Sequence, residues 1–411
     1  MDIRPIFFTL RRHKLTCCLL VLQIALTCAI VCNTIFLISQ RLDRMNMPSG
    51  IAEQELVYVQ MAYIGSRPDA KARAAEDVAA LQSIPGVKWA TLIGEMPFDY
   101  GSNNMDVRTD PSQRMPTLSS TQYFGENTAK TLGVQIVEGR DLRPEEYIFL
   151  SDVFTLLAKK QYDKLPNVTL ITRTMAERMW PGQDPLGKRF YVGQGIPLTV
   201  VGVMANLIRP GRDRLDLGAQ YSTLWPVRVT MDQDASFLIR TAPQERDRVL
   251  RAAVDKLKAL DPNRIVLDKG TMEQHRRDFF QNDRAMAGIL VGVCIALLVV
   301  TALGIVGLAS FWVAQRNRSI GVRRALGATR GNILHYFQTE NFLLTTMGIV
   351  LGMVLAYGIN LFLIVHYELP RLPAIYFPMG AILLWSLGQA AVLGPALRAA
   401  AVPPVVATRS V

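Results

Sequence analysis

The chain has 411 residues, 50% of them hydrophobic, with a mean hydropathy of +0.20 and a formal charge of +11. Such a length admits two soluble domains or a polytopic membrane protein, and such a charge admits nucleic acid or an anionic lipid surface as partner. The distribution decides both: apolar residues collect in four long runs and the basic surplus lies in their short flanks, so membrane lipid is the expected surface and nucleic acid is excluded.

At the N-terminus, Ile3, Ile6, Phe7 and Leu10 interleave with Arg4, Arg11 and Arg12. This spacing predicts a cytoplasmic amphipathic helix over 1–14 in the headgroup layer, with a plain basic flank as the alternative. The uncharged run Leu15 to Ser39 follows, long enough at about 1.5 Å per residue to cross a hydrocarbon core of about 30 Å. It exceeds a signal-peptide h-region and ends in Gln40, Arg41 and Leu42 where small residues would mark cleavage, so an uncleaved first span over 15–39 is expected.

Residues 40–283 are too many for a loop and predict a folded extracytoplasmic domain. Leu56 to Tyr63 reads as a strand, Asp69 to Ser83 as a helix (Ala72, Val78, Leu81) and Val87 to Ile93 as a strand. The pattern returns as a strand over Ser236 to Arg240, an amphipathic helix over Glu245 to Leu260 (Val249, Leu250, Ala253, Leu257) and a strand over Arg264 to Leu267. Two such β-α-β units predict a split domain, 41–115 with 228–270, enclosing an inserted subdomain over 116–227. Within the insertion, Leu170 to Trp180 reads as a short helix stopped by Pro181-Gly182, and Thr199 to Val203 as a buried strand. From Thr271 no Gly or Pro intervenes before Ala287. A stalk helix over 271–286 is therefore expected to continue into the second span as one rod to about Ala314, with Gly288 as an alternative hinge.

The remaining spans are expected at 287–311, 341–365 and 375–394, separated by a cytoplasmic loop over 312–340 and followed by a cytoplasmic tail over 395–411. Orientation follows from the positive-inside bias. Lys14 with Arg11 and Arg12 precedes the first span, whereas Arg316, Arg318, Arg323, Arg324 and Arg330 follow the second with no acid before Glu340, so both flanks face the cytoplasm. Cys17, Cys18, Cys28, Cys32 and Cys294 all fall within predicted spans, leaving the outer domain neither a disulfide framework nor a thiolate metal site.

Gly182-Gln-Asp-Pro-Leu-Gly187-Lys188-Arg189 approaches a phosphate-binding loop but has Arg189 where a hydroxyl should hold Mg²⁺; a tight turn built on Pro181, Gly182, Asp184, Pro185 and Gly187 is the better reading. Gly288-x-x-x-Gly292 and Gly348-x-x-x-Gly352 place small residues one turn apart for close helix packing, within the subunit or against a partner. The spans carry no mid-depth charge for an ion or proton path, and four scattered histidines form no catalytic or metal-binding group, so the chain is expected not to be an enzyme.

Two stretches resemble the MacB/FtsX family of ABC transporter permeases. Arg316-Asn-Arg-Ser-Ile-Gly-Val-Arg-Arg-Ala-Leu-Gly-Ala328, with Phe337 and Glu340 beyond it, is similar to the family's R-x-x-E-I-G-I-R-R-A-L-G-A signature. Met179 to Phe190 with Val200 to Val203 is similar to its F-P-G-x-D-P-x-G-K and V-V-G-V elements. Gly133-Val134, Glu138 to Asp141, Pro395 to Arg398 and Pro403 to Arg409 resemble further elements. Ser319 and Trp180 depart from the family's usual Glu and Phe.

The resemblance implies an α-helical membrane protein of four transmembrane helices with a large α/β (α+β) extracytoplasmic domain, placed in a bacterial inner membrane with both termini in the cytoplasm. It implies a separate cytoplasmic ABC ATPase dimer carrying the ATP and Mg, with no cofactor on this chain, and a second permease copy or a non-identical permease beside it. It further implies a periplasmic adaptor and a TolC-like outer-membrane channel, the outer domain driving a peptide, antibiotic or lipidic substrate toward them. Lipoprotein release, or signalling to a cell-wall hydrolase, are the other uses of the same machine. ATPase coupling is expected at Ile320, Gly321, Val322, Arg323, Arg324, Ala325, Leu326, Gly327 and Ala328, where Ile320, Val322, Ala325 and Leu326 would offer apolar surface and the arginines charge.

Overall fold

The computed structural model describes residues 14–63, 69–211, 218–230, 234–367 and 371–401. Most of the expected N-terminal amphipathic helix and the tail beyond Ala401 lie outside the described residues. The chain divides into an outer unit, Asn46–Gln281, and a membrane unit made of the chain before and after it. Helix α1 (Lys14–Met45) opens the membrane unit.

The outer unit begins β1 (Leu56–Tyr63), α2 (Ala70–Gln82), β2 (Val87–Ile93), β3 (Asn104–Arg108), β4 (Leu118–Tyr123), α3 (Thr128–Leu132) and β5 (Ile136–Gly139). It continues with β6 (Ile148–Phe149), α4 (Leu150–Ala158), β7 (Val168–Thr172), α5 (Arg173–Met179), β8 (Arg189–Val192), β9 (Ile196–Met204), β10 (Ser222–Leu224) and β11 (Val227–Arg228). It ends with β12 (Asp234–Thr241), α6 (Arg246–Leu260), β13 (Arg264–Thr271) and α7 (Met272–Phe279).

An antiparallel sheet of order β13-β1-β12-β2 forms the split domain. Alternation along β1 puts Val57, Val59 and Met61 on one face, where they meet Phe237 and Ile239 of β12, Leu81 of α2, and Val249 and Leu257 of α6. Each fully buried side chain of this size contributes about 1.5–3 kcal/mol. Arg264 of β13 reaches both carboxylate oxygens of Asp77 on α2 at 2.7 and 2.8 Å, with both side chains 1% exposed, and its guanidinium lies 5.1 Å from the Tyr63 ring centre.

The insertion is a sheet of order β5-β9-β7-β10-β4-β3-β8, in which β8 pairs back onto β9 and closes the sheet on itself. Closure hides the edges that an open sheet would present. Ile171, Phe190, Leu198, Val203 and Trp225 contribute to its core. Buried Gln122 donates to Ser120 Oγ at 2.8 Å and accepts from Thr223 Oγ1 at 2.5 Å.

Three expectations are corrected in this unit. Asn104–Arg108, assigned from sequence to the split domain, pairs with β4 and β8 and so belongs to the insertion. The segment from Leu170 enters as strand β7, because its β-branched run pairs in parallel with β9, and the helix is confined to Arg173–Met179. The stalk helix expected over 271–286 is broken at Phe280 (φ −90°, ψ 11°), while the backbone stays helical through Gly288. Adjacent Phe279 and Phe280 are both buried, packing 4.9 Å from each other and 6.0 and 6.2 Å from Phe98, and residues 100° apart on a continuous helix would not both face that ring.

The membrane unit is completed by α8 (Gln281–Ala325), α9 (Arg330–Tyr367) and α10 (Tyr376–Ala401). Half of the most apolar stretch of α1 is buried (50%) against 17% for α8, so α1 is the most buried of the four helices and α8 the most open. Side-chain hydrogen bonds join the helices: Thr27 Oγ1 to Thr301 Oγ1 at 2.8 Å, Asn33 to Ala356 O at 3.3 Å, and Asn341 to Gly388 O at 2.9 Å. Such bonds and small-residue contacts hold helices together where lipid removes the hydrophobic drive. The stretch 312–340, expected as a loop, is helical except for Leu326–Thr329, and its charge density belongs to the ends of two long helices. Gly327, at φ +97°, supplies the left-handed turn that stops α8.

Candidate functional site

The end of α8 and the start of α9 form a hairpin with its own small core. Val313 and Ile320 meet Ile333 and Phe337 of α9, and Ala396, Ala399 and Ala400 of α10 close the third side. This corrects the expected coupling surface: Ile320 is 5% exposed and Gly321 is buried, so both serve the hairpin rather than a partner. Val322 and Leu326 are 46% and 82% exposed, and Arg323, Ala325 and Gly327 are exposed with them. Arg324 and Ala328 are half-buried. The Arg323 guanidinium lies 5.0 Å from the Tyr336 ring centre, which holds its charge beside the apolar tip.

Deeper in the hairpin, Arg316 Nη1 donates to both oxygens of Glu340 at 2.9 and 3.1 Å. Glu340 is 1% exposed, although the sequence placed it at the end of a solvated loop. One signal was available: Arg316 and Glu340 stand twelve residues on either side of Ala328.

The two GxxxG pairs part company. A Cβ on Gly348 would lie 2.6 Å from Ile24 Cγ2, and one on Gly352 would lie 2.5 Å from Cys28 Cβ, so α9 uses these glycines to approach α1. A Cβ on Gly288 or Gly292 would meet nothing within 4 Å, so this pair packs on nothing among the described residues.

In the outer unit, Gly182 and Gly187 take φ +68° and +75°, Asp184 Oδ1 accepts from Leu186 N at 2.9 Å, and Gly187 N donates to Val200 O at 2.8 Å. Pro181 is exposed in the same turn, whereas Pro185 is buried beneath it. Lys188 donates to Gln183 Oε1 and sits 5.4 Å from the Trp180 ring centre, and strand β8 follows where a phosphate-binding loop requires a helix. The segment is a turn that pins β8 to β9. Elsewhere in this unit, burial with added repulsion from Asp99 raises the Glu95 pKa to about 7, and burial lowers that of His275. Among the described residues no group of three or more His, Cys, Asp or Glu side chains is arranged to hold a metal ion.

Four helices long and apolar enough to cross a membrane, a basic helical hairpin and a two-part outer domain define a polytopic membrane protein. The profile of the MacB-like periplasmic core domain matches residues 18–257, and that of the FtsX-like permease C-terminal region matches residues 291–404. The chain belongs to the MacB/FtsX family of ABC transporter permeases. It is similar to the uncharacterized ABC transporter permease YvrN of Bacillus subtilis, 25% identical over 88% of this chain and 84% of that one. It is also similar to the pyoverdine export ATP-binding/permease protein PvdT of Pseudomonas aeruginosa, 25% identical over 82% of this chain but 47% of that protein's length. The chain thus spans less than half of PvdT. The solved periplasmic region of MacB from Actinobacillus actinomycetemcomitans matches 56% of this chain and 94% of its own, at 12% identity and a TM-score of 0.34.

Proposed function

We propose that this permease passes ATP-driven movement from a cytoplasmic ABC ATPase, supplied by another polypeptide that binds the ATP and Mg, to its outer domain. The outer domain then drives a periplasmic peptide, antibiotic or lipidic molecule toward an adaptor and an outer-membrane channel. The observation that carries this reading is the hairpin tip, where Val322 and Arg323 are exposed on the helix that continues as the second span and Leu326 is exposed in the turn just past its end. An apolar pair flanked by charge is suited to gripping a soluble partner. An ion or proton path between the helices has no support, since α1, α8, α9 and α10 carry no acidic or basic residue over their central spans. The names of the exporting relatives agree with the direction of transport.

Leu326→Glu tests the reading. The variant should insert and express normally, retain less ATPase in co-purification by at least tenfold, and lose ATP-driven export. Normal recruitment with normal export would move the coupling site elsewhere, the segment Ile3 to Lys14 being the next place to look.

A further inference from the structure

We infer that Arg316 and Glu340 are a positioning pair that fixes the spacing of the two helices of the hairpin, so that a push at the tip reaches the spans instead of bending the hairpin. The inference rests on the reading of the tip as the ATPase contact. Glu340 is 1% exposed and receives both its short contacts from one guanidinium, which also lies 5.5 Å from the Trp312 ring centre. The pair stands at equal distance along both helices from the turn. On the tip side lie Ile320, Ile333 and Phe337, and on the membrane side Asn341 bonds α10 through Gly388 O.

Apolar contacts, being non-directional, re-form against new neighbours after a shift. A buried ion pair does not, since separation leaves a carboxylate uncompensated in a low-dielectric setting. The neighbouring cavity, lined by Leu20, Trp312, Phe337, Asn341 and Leu344 with Glu340 itself, has a volume of about 10 Å³. Glu340 therefore has little room to swing away on that side, while Arg316, 17% exposed, is held by the carboxylate and the Trp312 ring. Between the hairpin core and the spans, this contact therefore ties the two continuous helices α8 and α9 to each other.

The test uses the full chain with its ATPase in lipid nanodiscs, spin-labelled through unnatural amino acids at the exposed positions Arg318 and His335. The native chain should give one narrow distance distribution with or without ATP. Glu340→Gln should broaden it while ATPase stays bound, and should lower export at least tenfold. The exchanged pair, Arg316→Glu with Glu340→Arg, should narrow the distribution again and recover export, a rescue that a purely volumetric role would not show. A native-width distribution in Glu340→Gln, or an exchanged pair as broad as the single variant, would overturn the inference. If Glu340→Gln cannot be recovered from membranes, Arg316→Lys replaces it, keeping the charge but not the guanidinium, with the same broadening expected and a native width contradicting. A native chain that exports none of the cargo tried counts against the efflux reading alone, because the distance distributions still decide the pair.

Discussion

Burial of Glu95 holds its carboxyl at a pKa of about 7, against 4.5 for the same group in the unfolded chain. The folded state therefore keeps a proton that the unfolded state gives up, and the resulting stability is full below 4.5 and lost as pH rises through about 7. His275 acts in the opposite sense, since burial lowers its pKa from 6.5; its share is present above that value and lost as pH falls toward the folded one. Glu95→Gln separates the two. The thermal midpoint of the native chain should match that of the variant at pH 5 and fall below it by pH 8, whereas parallel curves would reject the assignment. At the Arg264–Asp77 pair, Asp77→Ala removes the short-range partner of a guanidinium that is 1% exposed, leaving Asp261 at 4.0 Å, and should cost about 3 kcal/mol, lowering the outer-domain midpoint on the order of 10 °C. Lys88→Ala, which removes a half-exposed partner of Glu55, should cost less than about 1 kcal/mol. Neither the depth of Asp77 nor that of Glu340 was legible in the sequence, because a charged side chain signals its burial only through a partner that the fold brings in from far along the chain.

Apolar run length and charge made the four membrane-crossing helices legible, and alternation made β1, β2 and β12 legible. The failures have physical causes of the same kind. Val168–Thr172 offered a short apolar run that fits a helix or a buried strand equally well, and only its parallel partner β9 decides. The break at Phe280 carries no Gly or Pro, being imposed by the burial of two adjacent aromatic rings. The density of arginine from Arg316 to Arg330 looked like a loop because helical hairpins that leave the membrane are also basic. Among the GxxxG pairs, sequence gave no way to tell the packed one from the open one, and the structure turns that difference into an experiment. Gly352→Leu must displace Cys28 and the Ala25 backbone, so the variant should lose folded protein in detergent. Gly292→Leu meets nothing within 4 Å and should leave the subunit folded. Equal loss in both would show that the two glycines do the same work.

At the scale of the whole molecule, two units with separate cores share one chain that crosses between them twice, near Met45 and near Gln281. The chain itself carries force from the hairpin's unit to the outer unit at those crossings, so the segments that flank them, 46–63 and 264–281, should be among the first parts of the outer domain to respond. Membership of the ABC permease family implies an ATPase partner, while the cargo and the channel beyond the membrane belong to the proposal. Hydrogen–deuterium exchange of the complete permease–ATPase complex, compared with and without an ATP-trapped state, reads the transmission of force at both ends of the chain. Trapping should change exchange in 46–63 and 264–281, and the change should vanish in Leu326→Glu. A response confined to the ATPase and the hairpin, with the outer domain unaltered, would mean that no force passes through the crossings.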